Sequence, residues 1–138
     1  MKLLIDTNIV LDVLMKREPW AKSAEAILLA VAGEKAEGYI TASTFTDIYY
    51  LLHKHLRDKD KTKQALLNLL AVVGVLDVSD ADCKKAFDLP MYDYEDALLA
   101  RCAKRHKIDY IVTQGTKNFA GSPVKPAVPE DILMLLPG

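Results

Sequence analysis

Lys2-Leu3-Leu4-Ile5-Asp6-Thr7-Asn8 runs directly into Ile9-Val10-Leu11-Asp12-Val13-Leu14, and the change of pattern between the two decides the fold. Leu3, Leu4 and Ile5 form an apolar run with no polar alternation, as in a strand buried on both faces of a parallel sheet. Such a strand is central. Ile9, Val10, Val13 and Leu14 recur at helical spacing, so the chain turns from strand to helix at Asp6-Thr7-Asn8. Asp6 then stands at a strand's carboxyl end, the edge where loops and helix N-termini converge and where open α/β sheets bind ligands. Taken alone, Asp6 or Asn8 reads more simply as a cap of the following helix. The rest of the chain reverses that preference.

Further along, the pattern repeats. Pro19-Trp20 opens a helix to about Ala32, with Ala24, Ile27, Leu28 and Val31 on its buried face and Gly33 as its stop. Gly38–Thr41 reads as a strand, followed through a Ser/Thr cap at Ala42-Ser43-Thr44 by a helix whose inner stripe is Phe45, Ile48, Tyr49, Leu52 and Leu56. A fourth helix spans about Lys61 to Val72, and Val73–Val78 is a third strand. Ser79 or Asp80 caps a helix through Phe87, and another runs from Tyr94 to about His106. Asp109–Thr113 is a fourth strand; Val124–Val128 is a weaker one that Pro126 restricts to an edge, before Pro129-Glu130-Asp131 opens a short last helix, Ile132 to Leu136. Four or five strands separated by helices predict a three-layer α/β/α sandwich around a central parallel sheet, forming a single domain over residues 1–138.

Composition is consistent with that reading. A net charge of −1, with 51% hydrophobic and 27% charged residues, describes a globular chain and leaves nucleic-acid binding to any local basic face. Cys83 and Cys102 lack metal-type spacing and are too few for a disulfide framework, which points to reduced thiols in a cytoplasmic protein. The longest apolar run, Leu69 to Leu76, is interrupted by Gly74 and is far too short for a membrane span.

Three other stretches place polar groups where Asp6 can meet them. Asp47 lies early in the third helix, which begins at the carboxyl edge of the second strand. Asp93 and Asp96, three apart in Asp93-Tyr94-Glu95-Asp96, share one face at a helix start. Thr113-Gln114-Gly115-Thr116-Lys117-Asn118-Phe119 leaves the fourth strand at the same edge. Each has a structural explanation: Asp47 can simply favour a helix dipole, and Asp93 with Asp96 resembles a capping box. Together they are harder to explain that way, because acids gathered in a partly buried site repel unless a cation neutralises them. Carboxylates suit Mg²⁺ or Mn²⁺, whereas zinc wants His or Cys, and His53, His55 and His106 lie too far along their helices to serve.

The apolar strand ending in Asp6-Thr7-Asn8, the helical acid Asp47 after Thr41-Ala42-Ser43, Asp93-Tyr94-Glu95-Asp96-Ala97-Leu98-Leu99-Ala100, and Ile111-Val112-Thr113 with Phe119 together resemble the PIN-domain family. The similarity covers nearly the whole chain and is closest to the single-domain toxins of VapC-type toxin–antitoxin pairs. The resemblance implies a Mg²⁺- or Mn²⁺-dependent ribonuclease acting on single-stranded or structured RNA, with a cognate antitoxin as partner. It implies Asp6, Asp47, Asp96 and Asp93 as catalytic metal ligands, Asp47 standing where the family more often has Glu. Asn8, Thr113, Asn118 and Ser43 would support them. Gly115 stands where the family usually carries an acid or Asn two residues beyond the Thr, and Asn118 where it otherwise carries an Asp just before the Phe, so the ligand set is three or four acids.

Lys16, Arg17, Lys54, Arg57 and Arg101, with Lys104 and Arg105, are candidate RNA contacts at the rim, although each also reads as an ordinary solvated side chain. Tyr49, Tyr50, Leu51, Leu66 and Leu70 exceed what one inner face requires and predict a homodimer surface on the third and fourth helices. Two other functions compete. A haloacid-dehalogenase-like phosphatase also places an Asp after its first strand but wants a second Asp two residues on, where this chain has Asn8. A PIN-like scaffold that has lost turnover and only binds a partner is supported by the weakened last motif and opposed by Asp6, Asp47 and Asp96.

Overall fold

In the computed structural model, which describes residues 1–138, Leu3, Leu4 and Ile5 are all buried in β1 (Lys2–Ile5). Burial on both faces follows from position. β1 is the middle strand of five, flanked by β2 (Glu37–Thr41) and β4 (Tyr110–Val112), with β3 (Gly74–Leu76) and β5 (Lys125–Ala127) at the edges. All four neighbouring pairs are parallel, in the order β3-β2-β1-β4-β5. The chain winds outward from β1 to β3, then resumes on the other side of β1 at β4. This reversal makes the carboxyl edge beside β1 a switch point, where the loops diverge and leave room for a ligand.

Alternation along the strands divides the core into two. Leu3, Ile5, Ile40, Val112 and Ala127 face α1 (Thr7–Leu14), α2 (Ala21–Ala32), α3 (Ala42–Leu56), α4 (Lys59–Leu70) and α7 (Pro129–Leu135). Leu4, Ile111 and Leu76 face the opposite layer, where α6 (Tyr94–Arg105) contributes Leu99, Ala100 and Ala103, and α5 (Asp80–Lys85) packs on α6. The result is the expected three-layer sandwich. Gly38 in β2 permits the close approach of α2, since a Cβ there would fall 2.7 Å from a Val31 methyl carbon.

Several local expectations change. Helix α2 begins at Ala21 rather than at Pro19-Trp20, because Arg17 to Trp20 form a turn in which the Ala21 N–H donates to the Arg17 carbonyl at 2.8 Å. At its other end α2 stops as expected, at Ala32 with Gly33 as its C-cap, and the left-handed turn follows at Glu34 (φ 59°). Thr41 occupies the N-cap of α3 without bonding the helix backbone; its hydroxyl instead shares a 2.9 Å hydrogen bond with that of Ser43, so the expected Ser/Thr cap is not made. Tyr49 is exposed rather than part of the inner stripe, and Leu66, only 4% exposed, belongs to the core rather than to a surface patch. Strand three shrinks to Gly74–Leu76 at its sheet edge, and α5 ends at Lys85 before a 3₁₀ turn over Ala86–Asp88.

Ser79 does cap α5, in a reciprocal pair: its hydroxyl accepts from the Asp82 N–H at 3.1 Å and the Asp82 carboxylate accepts from the Ser79 N–H at 3.0 Å. Asp82 is 1% exposed and also accepts from Arg105 Nε at 2.9 Å, while Arg105 Nη2 reaches the Asp77 carbonyl at 2.8 Å. Arg105 is thereby committed to joining α5 and α6 and is not a free cation for RNA. Burial by itself would raise the Asp82 carboxyl; Arg105 and the Ser79 bonds outweigh it and hold the group down to about 2. Asp82→Ala should cost about 2–4 kcal/mol in urea denaturation at pH 7, because it strands Arg105 and uncaps α5. With the folded-state pKa below the unfolded one, the charge contribution is complete above about pH 4 and lost as pH falls toward 2. The gap between wild type and Asp82→Ala should narrow across that window; a gap unchanged at pH 2 would assign the loss to packing alone.

Candidate functional site

Four segments meet at the carboxyl edge around a cavity of about 720 Å³. The β1–α1 turn supplies Asp6, Thr7 and Asn8; α3 supplies Ser43, Thr44, Asp47, Tyr50 and Leu51; the start of α6 supplies Glu95, Asp96, Leu98 and Leu99; the loop after β4 supplies Thr113, Gln114, Gly115 and Asn118. Sheet register fixes the first and last against each other. Ile5 pairs with Val112, and the Asp6 N–H donates to the Val112 carbonyl at 3.0 Å, which sets Asp6 beside Thr113. The Thr113 hydroxyl donates to Asp6 Oδ2 at 2.9 Å and itself accepts from the Gly115 N–H at 3.0 Å. A Cβ on Gly115 would stand 2.6 Å from Asn118 Nδ2, so the bare glycine makes room for that amide in the same loop.

The electrostatics of the cavity are one-sided. Asp6, Asp47, Glu95 and Asp96 line it, and no Lys, Arg, His or Cys does. Burial pushes the Asp6 carboxyl above its ordinary value, opposed by hydrogen bonds from Thr113 and the Thr7 backbone and reinforced by the Asp12 charge. Asp96 is pushed up to about 6, first by burial and then by the charges of Asp6, Asp93 and Glu95. With the side chains as they lie, no three acidic, His or Cys groups stand close enough to hold one metal ion. The donor set nonetheless suits a hard cation: its ligands are all oxygen, and its like charges have no protein counter-ion.

The residues singled out in the sequence divide into two groups. Asp6, Asp47, Asp96, Asn8, Thr113, Asn118 and Ser43 share the cavity wall. Asp93 does not; its carboxylate caps α6 by accepting from the Asp96 N–H at 3.0 Å, and Glu95 lines the cavity in its stead. None of Lys16, Arg17, Lys54, Arg57 and Arg101 lines the cavity. Lys16, Lys54 and Arg57 are exposed, Arg17 is paired with buried Asp12 at 2.9 Å, and Arg101 Nε is buried without a hydrogen-bond partner. Sequence reasoning missed Glu95, Gln114 and Thr44 on the wall, and Asp12 behind it. Asp12 had a signal, a charged residue among the apolar positions of the first helix, one turn beyond Asn8.

A raised Asp96 pKa predicts a sign for stability. Above about pH 6 Asp96 is ionised in both states, but only the folded metal-free protein holds that charge at a penalty, which fades as pH falls toward 4. Asp96→Asn should therefore stabilise the protein in EDTA at pH 7.5, by about 1–2 kcal/mol after allowance for the site's partial exposure, and by almost nothing near pH 4. Thermal melts of both proteins at the two pH values measure this; destabilisation at pH 7.5 would mean that the carboxylate is structural.

The model of the PIN domain matches residues 2–117. No curated protein sequence is similar enough to count as a relative. Among solved structures, VapBC2 from Rickettsia felis bound to a DNA fragment from its promoter superposes with a TM-score of 0.73 at 20% identity, covering 93% of this chain and 98% of that one. A toxin–antitoxin complex from Klebsiella pneumoniae gives 0.68 at 22% identity, over 92% and 97%. VapC20 from Mycobacterium tuberculosis, a sarcin-ricin loop cleaving toxin, gives 0.68 at 15% identity, over 87% and 95%. With its family model matched over most of its length and its fold shared with these structures, the chain belongs to the PIN-domain family.

Proposed function

We propose that this protein is a Mg²⁺- or Mn²⁺-dependent endoribonuclease, the cytoplasmic toxin of a VapBC-type pair, inhibited by a cognate antitoxin. The observation that carries the reading is that Asp6, Asp47 and Asp96 line one cavity at the switch point of a PIN fold, with no basic side chain to balance them. The fold it shares with VapBC2 and the Klebsiella pneumoniae complex supports the antitoxin, and the likeness to VapC20 supports RNA, single-stranded or in a structured loop, as substrate. A phosphatase of the haloacid-dehalogenase type would need a general acid two residues after Asp6, and the side chain there is Asn8.

Asp6, Asp47 and Asp96 would hold the ion, with Asp93 or Glu95 adding charge at the α6 end. When bound, Mg²⁺ or Mn²⁺ supplies an attacking water of lowered pKa and stabilises charge on the scissile phosphodiester. The chain's own part is positioning. Thr113 fixes the rotamer of Asp6 through its 2.9 Å bond, and Gly115 fixes Thr113 in turn. Asn8, Ser43 and Asn118 offer uncharged donors to an anionic substrate in a cavity whose charged groups are all acidic. Of the candidate cations, Lys16, Lys54, Arg57 and Lys104 are exposed and left to guide the RNA backbone from outside the cavity.

Cleavage of a single-stranded RNA should require Mg²⁺ or Mn²⁺, stop in excess EDTA, and fall at least about 100-fold in Asp6→Asn and Asp96→Asn while both variants stay folded. Undiminished cleavage in EDTA would sink the nuclease reading, as would an Asp6→Asn whose residual activity only tracks its folded fraction. Tyr49, Tyr50 and Leu51 on α3 and Leu67 and Leu70 on α4 are large apolar side chains left exposed, Tyr50 at 65% and Leu67 at 49%, with Tyr50 and Leu51 at the rim of the cavity. These exposed residues are the proposed homodimer contact. Light scattering at micromolar concentration should give twice the 15.3 kDa chain mass, and Tyr50→Glu with Leu67→Glu should halve it; a wild-type monomer would count against the dimer.

A further inference from the structure

Arg17 lies beyond the end of α1, yet its side chain runs back along that helix. Its Nε donates to Asp12 Oδ1 at 2.9 Å, and its Nη2 donates to the Asn8 carbonyl oxygen at 3.1 Å and to Asn8 Oδ1 at 3.4 Å. Asn8 and Asp12 are four apart, on one face of α1, so one guanidinium can span both. The fork of fixed donors on Arg is suited to this; a lysine ammonium on its flexible stem is not. Asp12 is 4% exposed, and a buried carboxylate is stable only with its partner in place, so the pair anchors the guanidinium firmly.

The consequence is felt at Asn8. Arginine can only donate, so the Asn8 carboxamide presents its oxygen to Arg17, and its Nδ2 amide group is turned away from it. Nδ2 has no hydrogen-bond partner within the chain, and Asn8 stands on the cavity wall. A phosphodiester entering that cavity meets four acidic side chains and no basic one, so a neutral donor is the kind of group in the chain that can receive one of its oxygens.

We propose that Asp12 and Arg17 form a positioning clamp that fixes the Asn8 carboxamide with its N–H group toward the cavity, as a donor to a phosphodiester oxygen of the RNA. Resting on the nuclease reading, this gives Arg17 an indirect part in place of the direct RNA contact expected from sequence, and the two roles predict opposite outcomes.

RNA binding is measured by fluorescence anisotropy with a labelled single-stranded oligonucleotide in an Asp6→Asn background, where the RNA should persist, with near-UV circular dichroism confirming that each protein is folded. If Arg17 touched RNA directly, Asp12→Asn would free its charge and tighten binding. The clamp requires the reverse: Asp12→Asn, Arg17→Lys and Asn8→Ala should each weaken binding about 10-fold, with the Arg17→Lys/Asn8→Ala double variant within about twofold of Asn8→Ala alone. Tighter binding by Asp12→Asn, or losses that multiply in the double variant, would overturn the clamp. A second readout needs no RNA. The Asn8 side-chain NH₂ resonances, identified by their absence in Asn8→Ala, should shift in Arg17→Lys, and identical positions would overturn the clamp as well. A wild type that neither cleaves nor binds RNA overturns the nuclease reading and the clamp together, whereas a wild type that cleaves normally beside unaffected variants overturns only the clamp.

Discussion

The hydrogen bond from the Thr113 hydroxyl to Asp6 Oδ2, at 2.9 Å, joins residues 107 positions apart and holds a half-buried carboxylate at the end of the sheet's central strand. Its geometry depends on the parallel pairing of β1 with β4, which in turn depends on Leu3, Leu4 and Ile5 being apolar enough to fill the middle of a two-faced core. Desolvation makes that carboxylate costly as an anion, and two hydrogen bonds only partly relieve it. The rest of the cavity makes the position worse for a free protein, since Asp96, Glu95 and Asp47 add charge of the same sign. A wall built in this way gathers like charge at the expense of stability.

The opposite arrangement appears on the far layer. Asp82 is more deeply buried than any of the cavity acids, yet its pKa is driven down, because Arg105 and the Ser79 backbone N–H donate to it directly. The two sites show how one residue type takes opposite parts. A buried aspartate with an arginine fastens structure together, while a half-buried aspartate facing other acids has no protein counter-ion. Asp12 belongs to the first kind, although it sits directly behind the second.

This division also explains why the basic residues of the sequence are poor guides to where free positive charge lies. Arg17 and Arg105 are consumed by Asp12, Asp77 and Asp82, and Arg101 is partly enclosed. An arginine side chain is long enough to cross a helix and satisfy a buried acid, so its place in the sequence says little about where its charge ends up.

Local pattern alone determined much of the protein. The unalternated run Leu3-Leu4-Ile5, the switch to helical spacing after Asn8, and Pro126 in the last strand were sufficient for a parallel three-layer sheet with β5 at its edge, because period and backbone donors are properties of neighbouring residues. The strand-end positions of Asp6 and Thr113 were legible for the same reason. What only the tertiary structure decided was which side chains share space across long separations: that Asp93 caps α6 while Glu95 turns to the cavity, that Leu66 is core while Tyr50 is bare, and that Arg17 is claimed by Asp12. Those outcomes depend on how helices pack against one another, and a helix start or a long flexible side chain offers several partners until packing leaves only one within reach.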